Sequence, residues 1–302
     1  MKNCKVCIVT GASRGLGRGI ALVLARDEGC RVYATARNED ALKALVEEAA
    51  TGTKGGTVNA CVLDQSDDAA VQAFVEQVKK KDSQVDLLVN SAYAGLIAIK
   101  PHFGKPFWEK PLSVFDASLN IGLRSAYVMS ALVAPLMVKN KAGLIVQISS
   151  FGGVNYLFDV GYGVGKAGLD RLTADMAAEL NPYDVHAVTL YPGGAVTEIA
   201  AFPGGETPVF TGRAVAALLN KATKEDLARM NGKVAQTAEL AVNYGFTDVS
   251  GDMPKGPFAG VDAAKQCREV MSKPLIQYDV DAELPDASAT NNPDIAAMFP
   301  GA

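Results

Sequence analysis

The chain has 302 residues, 49% hydrophobic and 21% charged, a balance that supports one large core and excludes wholesale disorder. Lysine and arginine number 29 against 33 aspartates and glutamates, and the net charge of -4 disfavours nucleic acid and anionic lipid as general partners. Five scattered cysteines argue for a reducing compartment, and two histidines without ligand spacing argue against a metal site.

An apolar run at residues 5–9 predicts the first strand. It takes in Cys7 of a Cys4-x-x-Cys7 pair. A redox pair belongs at a helix start, so these thiols read as packing. The run is too short for a signal peptide, and a glycine-rich turn follows at once, so none is expected. That turn is Thr10-Gly11-Ala12-Ser13-Arg14-Gly15-Leu16-Gly17. It opens a helix with Leu16, Ile20, Val23 and Leu24 on one face. Glycines there permit a tight turn and close approach of a pyrophosphate, and the free N–H groups of the helix start face it. Gly11, Ser13, Arg14, Gly15, Leu16 and Gly17 are therefore expected to hold a nicotinamide dinucleotide.

The second strand, 32–35, ends Ala34-Thr35-Ala36-Arg37. A site for NAD usually ends this strand with a carboxylate for the ribose hydroxyls, and none stands here. Arg37 and Arg14 together form a two-pronged clamp for a 2′-phosphate, so NADP(H) is the expected cofactor and NAD(H) the second choice. The competing reading of Arg37 is an ordinary solvated arginine.

Helical faces follow at Leu42, Leu45, Val46 and Ala49, and at Val71, Phe74, Val75 and Val78. Further strands are predicted at 58–63, 87–89, 144–148 and 185–190, with a weaker one at 233–237. This alternation predicts an α/β fold: a Rossmann-type doubly wound parallel sheet, a single domain over residues 1–246 with helices on both faces. Ligands of such sheets bind beyond the carboxyl ends of the strands. Two stretches break the pattern. Residues 97–111 carry three prolines and the only tryptophan, Trp108, and read as a loop inserted after the fourth strand. From 247 onward periodicity is lost, so 247–302 reads as a polar C-terminal extension, with 279–294 a loosely attached acidic tail. No run of about 18 apolar residues occurs, so no membrane span is predicted.

Tyr162 and Lys166 stand four residues apart and share one helix face. An ammonium there favours phenolate and lowers the Tyr162 pKa, fitting it to give a proton to a carbonyl oxygen or take one from an alcohol. Ser149, at the end of an apolar strand, is expected to hydrogen-bond the substrate oxygen, a turn serine being the alternative.

Thr10–Gly17, Asn90-Ser91-Ala92, Asn120, Ser149, Tyr162-Gly163-Val164-Gly165-Lys166 and Pro192-Gly193 stand in an order and spacing that resembles the short-chain dehydrogenase/reductase family over about residues 3–240. The resemblance implies a catalytic tetrad of Asn120, Ser149, Tyr162 and Lys166. In it Asn120 positions a water that relays protons to Lys166, and a buried structural asparagine is the other reading. It implies that Tyr162 and Lys166 also touch the cofactor. Asn90 and Ala92 would fix the backbone beside it, and Asp64 would meet the adenine or else cap a helix. Pro192, Gly193, Ala195 and Thr197 would hold the nicotinamide carboxamide, and 198–223 would form a flap hinged at Pro203-Gly204-Gly205. Phe151, Tyr156 and Phe202 are candidates for an apolar pocket. One departure is plain: where the family carries Asn-Asn-Ala-Gly, this chain has Asn90-Ser91-Ala92-Tyr93.

The expected function is hydride transfer between NADP(H) and a carbonyl or secondary alcohol, possible substrates including a steroid or other apolar ketone. The alternative is an NADP(H)-binding sensor without turnover, which intact tetrad residues oppose. A small-molecule substrate, a cytoplasmic location, and a homo-oligomer built on the helices bearing Asn120 and Tyr162 complete the expectation, with no nucleic-acid partner.

Overall fold

The first apolar run becomes β1, Val6–Thr10, buried along its whole length. Chain order continues with α1 (Gly15–Leu22), β2 (Arg31–Ala36), α2 (Glu39–Ala49), β3 (Thr57–Val62), α3 (Asp68–Asp82) and β4 (Leu87–Asn90). Then come α4 (Gly95–Ile99), α5 (Leu112–Ser118), α6 (Ser125–Asn140), β5 (Gly143–Ile148), α7 (Val160–Leu180) and β6 (Val185–Tyr191). The remainder is α8 (Pro208–Asn220), α9 (Lys224–Met230), β7 (Val234–Gln236), α10 (Thr237–Tyr244) and α11 (Gly260–Met271). The computed structural model describes residues 4–272. The acidic stretch 279–294 lies outside the described residues.

The strands form one parallel sheet in the order β3-β2-β1-β4-β5-β6-β7. The chain reverses direction of growth between β1 and β4, and a crevice opens there at the carboxyl ends. Helices cover both faces, so the central strands read as continuous apolar runs. One core packs Cys7, Val9, Val89 and Val146 against Ile20, Leu24, Leu42 and Leu45. The other packs Ile8, Leu88 and Ile145 against Phe74, Val78, Met129, Val133 and Met137. Both are free thiols; Cys7 is fully buried in β1, in keeping with packing, whereas Cys4 is exposed and does not pack in the core.

Three expectations need correction. The 97–111 stretch is not a plain loop. It begins inside α4 and continues as two 3-10 turns, Lys100–His102 and Phe107–Glu109. A buried ion pair between Lys110 and Asp159 ties it to the start of α7. The proposed flap 198–223 is a flap only in its first part. From Pro208 the chain is α8, whose Phe210, Ala214, Val215 and Leu218 are fully buried. A Cβ on Gly19 would meet Pro208 O at 2.3 Å, and one on Gly212 would meet Gly19 O at 2.7 Å. The α1–α8 crossing is thus closed by glycines and fixed. Nor does the chain leave the fold at 247. The Asp248 carboxylate accepts from Thr207 N at 2.8 Å, Gly194 N donates to Phe258 O at 2.6 Å, and Gln236 Nε2 donates to Ala264 O at 3.0 Å. Finally, Leu112–Asn140 is long and apolar enough to cross a membrane, with mean hydropathy 1.6. Its inner face is Met129, Val133 and Met137, fully buried on the sheet, so here it is a core helix.

Candidate active site

A cavity of about 650 Å³ occupies the crevice. The glycine turn forms its floor on one side. Gly11 has φ of +68°, and a Cβ there would lie 2.7 Å from Ala92 Cα, so only glycine lets the loops after β1 and β4 meet. Gly11, Ser13, Arg14, Gly15, Leu16 and Gly17 all line the cavity, as expected. The turn is competent to bind an anion, because Gly15 N–H already donates to the Glu198 carboxylate at 2.9 Å. This donor set and its steric clearance fit the pyrophosphate of a dinucleotide.

Arg14 and Arg37 stand exposed at the rim, and Ala36 lies beside them in the wall. Arg37 Nη1 is 3.9 Å from Asp64 Oδ2, a loose surface pair. Asp64 lines the cavity and does not cap α3; that cap is Asp67, which accepts from Ala70 N at 3.0 Å. Asp64 instead accepts from Ser66 N and Ser66 Oγ, and these bonds, with Arg37 beside them, hold its carboxyl below the usual range. Ala92, Pro192, Gly193, Ala195 and Thr197 also line the cavity, together with Phe151, Tyr156 and Phe202.

Asn90 does not reach the cavity. It is buried, and its Nδ2 donates to Ser130 Oγ at 3.0 Å and Ala126 O at 3.5 Å, fastening β4 to α6. Asn120 is also absent from the site. It lies exposed in a π-helical turn, Leu119–Arg124, broken at Ile121 with φ of -110° and ψ of 69°. The broken turn offers Ile121 O to Ala94 N at 3.0 Å, and Gly122 packs on the Tyr93 ring. The water relay that the resemblance assigned to Asn120 finds no support in this placement.

Tyr162 and Lys166 lie together on α7, both buried and both on the cavity wall. The hydroxyl that meets Tyr162 is that of Ser150, not Ser149. Tyr162 Oη donates to Ser150 Oγ at 2.8 Å, whereas Ser149 Oγ donates to Lys166 O at 3.4 Å. Lys166 Nζ donates to Ile148 O at 3.0 Å. The sequence expected the ammonium to lower the Tyr162 pKa. In the free chain burial dominates and pushes Tyr162 up to about 12, with Ser150 pulling the other way and Asp170 adding to the rise. Burial also lowers Lys166 to about 8, partly offset by the Asp170 charge. Asp170 itself is pushed up to about 6 by burial, against hydrogen bonds from Tyr191 and Ser149. At neutral pH Tyr162 is therefore a proton donor.

Other residues of the cavity and its support were not expected from the sequence. Tyr93 lines the cavity and places its ring over Lys166, 4.5 Å from Nζ to centroid. Glu206 is fully buried beneath the segment that follows β6, accepting from Gly193 N at 3.1 Å and from the Thr211 and Thr237 hydroxyls at 2.7 Å each. From α11, Ala263, Ala264, Cys267 and Val270 supply a small-residue wall. No sequence spacing connects these positions to the Tyr162 motif. The Tyr93 departure from the family pattern was the one legible signal.

The chain is similar to known proteins. The model for "short chain dehydrogenase" matches residues 5–203. "Dehydrogenase/reductase SDR family member 1" of Mus musculus is 41% identical over 276 residues, 84% of this chain and 86% of that protein. Its Homo sapiens counterpart is 42% identical over 270 residues, 82% and 84% of the two chains. Among solved structures, a metagenomic short-chain oxidoreductase in complex with NADP superposes with a TM-score of 0.62 at 31% identity, covering 72% of this chain and 91% of that one. A 7 alpha-hydroxysteroid dehydrogenase complexed with NADH and 7-oxo glycochenodeoxycholic acid gives 0.65 at 26% identity, covering 77% and 92%. With the glycine turn, the crevice and the Tyr162–Lys166 pair in place, the chain belongs to the short-chain dehydrogenase/reductase family and is an NAD(P)(H)-dependent oxidoreductase of carbonyl and alcohol groups.

Proposed function

We propose that this chain reduces apolar ketones with NADP(H), and oxidises the matching secondary alcohols, using Ser150, Tyr162 and Lys166. The observation that carries the reading is the Tyr162–Ser150 hydrogen bond of 2.8 Å on the wall of the cavity, with buried Lys166 one turn along. The bound nicotinamide supplies or accepts the hydride. Ser150 Oγ and Tyr162 Oη stand 2.8 Å apart on the cavity wall, where together they would hold a carbonyl oxygen, and the Tyr162 proton would pass to that oxygen as negative charge develops. The Lys166 ammonium favours the phenolate left behind. Phe151, Tyr156, Leu157, Phe158 and Phe202 make the far wall apolar, which supports a hydrophobic substrate.

The preference for NADP(H) rests on Arg14 and Arg37 at the rim and on Ala36, which brings no carboxylate. A similar solved structure holds NADP and another holds NADH, so the choice is argued from these side chains. A homo-oligomer built on α5–α7 is supported by exposed Leu112, Phe115, Tyr127, Val160 and Val164 along those helices. The free cysteines fit a cytoplasmic location. The deciding experiment follows NADPH and NADH oxidation with a panel of ketones, in wild type and Tyr162→Phe. Turnover that drops about a hundredfold or more in the variant, with cofactor binding retained, is the expected result. Full turnover in Tyr162→Phe, or cofactor binding with no turnover of any carbonyl, overturns it and favours a sensor.

A further inference from the structure

We propose that Tyr93 is a positioning residue for the reaction: the face of its ring holds the Lys166 ammonium charged and seated on the Ile148 carbonyl beside Tyr162. This rests on the reading of Lys166 as the cation of the site. Among the described residues Lys166 joins no salt bridge, and its Nζ donates to Ile148 O at 3.0 Å. A buried ammonium with one carbonyl partner needs a second source of negative potential, or it sheds its proton. The Tyr93 ring supplies one, with its centroid 4.5 Å from Nζ. That is a cation–π contact in a dry setting, where such contacts are strongest.

The ring is locked in this place. Its hydroxyl shares a hydrogen bond of 3.1 Å with Ser118 Oγ on α5. Its edge meets the Tyr162 ring at 5.7 Å and 86°. A Cβ on Gly122 would lie 2.8 Å from Tyr93 Cδ2, and one on Gly95 would lie 2.2 Å from Tyr93 Oη, so both neighbours are cleared for it. Asn120 stands exposed in the broken turn at Ile121, so the ring of Tyr93 and not Asn120 is the neighbour of Lys166 here.

The charged and titratable groups around Lys166 are few. On its own helix stand Tyr162 and Asp170, and Asp159 lies at that helix's start, where its charge acts on Tyr93. From β6 and α11, Tyr191 and Cys267 feel the charge of Asp170, and neither acts on the ammonium. Asp170 raises Lys166 at a distance while burial depresses it to about 8. Of these groups, the Tyr93 and Tyr162 rings face Nζ within 6 Å of their centroids, and Tyr93 is the nearer, at 4.5 Å against 5.8 Å.

The test replaces Tyr93 with phenylalanine and then with mono-, di- and trifluorophenylalanine, which keep the shape and progressively empty the ring face. Lys166 is titrated by carbon NMR of side-chain-labelled lysine, its signal assigned with Lys166→Arg. The Tyr93→Phe protein should titrate near wild type, since the ring is kept. The midpoint should then fall stepwise with fluorination, by about one pH unit at the trifluoro form. The basic limb of the kcat/KM profile for ketone reduction should move down with it. A midpoint that stays constant across the series overturns the proposal. A wild type that turns over no carbonyl overturns the functional reading instead, while the NMR series still decides whether Tyr93 holds the charge.

Discussion

Tyr162 Oη donates to Ser150 Oγ at 2.8 Å, whereas the hydroxyl of Ser149, one residue earlier, is turned to the Lys166 carbonyl. Successive side chains of extended backbone point to opposite sides, and Ser150 is extended, with φ of -165° and ψ of 159°. Only one of two adjacent serines can meet Tyr162. Ser150→Ala should therefore lower kcat by about a hundredfold, the usual loss for one donor at a developing oxyanion. Ser149→Ala should cost about 1 kcal/mol of stability and far less in rate, because it removes a buried hydrogen bond and leaves Tyr162 its partner. Steady-state kinetics and thermal melts of the two variants check this. A larger kinetic loss in Ser149→Ala would return the role to that residue.

Cofactor choice should sit in Arg14, Arg37 and Ala36. Arg37 is 71% exposed at its side chain and held only loosely by Asp64 at 3.9 Å, so it is free to turn onto a 2′-phosphate. Arg37→Ala should weaken NADPH binding about tenfold, one charge-assisted bond, and leave NADH nearly unchanged. Ala36→Asp should reverse the preference by placing a negative charge where the phosphate would come. Titrations of both cofactors against each variant measure it, and equal losses for both in Arg37→Ala would make that arginine structural.

Glu198 occupies the anion position of the glycine turn, its Oε2 2.9 Å from Gly15 N. A pyrophosphate bound at the proposed position would have to displace this carboxylate, so Glu198 would compete with the cofactor. Glu198→Gln should bind NADPH tighter by about threefold to tenfold, in line with the modest worth of an exposed charge-assisted contact. Calorimetric titration at low and high salt reads the effect, which should shrink as salt screens it. Weaker binding in Glu198→Gln would show that the carboxylate helps to hold the cofactor.

Glu206 makes stability fall as pH rises. Burial pushes its carboxyl up to about 7, against hydrogen bonds from Thr237, Thr211 and Gly193. The unfolded chain releases this proton near 4.5, the ordinary value, and the folded chain near 7. Between those values the folded state binds more protons, so its advantage is complete below about 4.5 and lost once pH passes about 7. Glu206→Gln carries no proton to lose. The drop in Tm between pH 5 and pH 8 should be smaller in that variant than in wild type. Parallel melting curves for the two proteins would sink the assignment.

The sheet was legible in the sequence because buried strands and amphipathic helices carry their periods locally. Val6–Thr10, the glycine turn and the α7 face with Tyr162 and Lys166 stand where spacing put them. Order along the chain was enough, because strand, turn and helix are each decided within a few residues. What tertiary structure alone decided is which side chains face one another. Two adjacent serines are indistinguishable until the strand end is oriented, and Ser150 then takes the place expected of Ser149. Asn120 matched its motif, yet it stands exposed in a π-helical turn. Helix α8 appeared as a flap because its partner, Gly19 on α1, lies far away in sequence. Burial, which no local pattern states, set the protonation of Tyr162, Lys166 and Glu206, since a low-dielectric surrounding is built by elements distant in the chain.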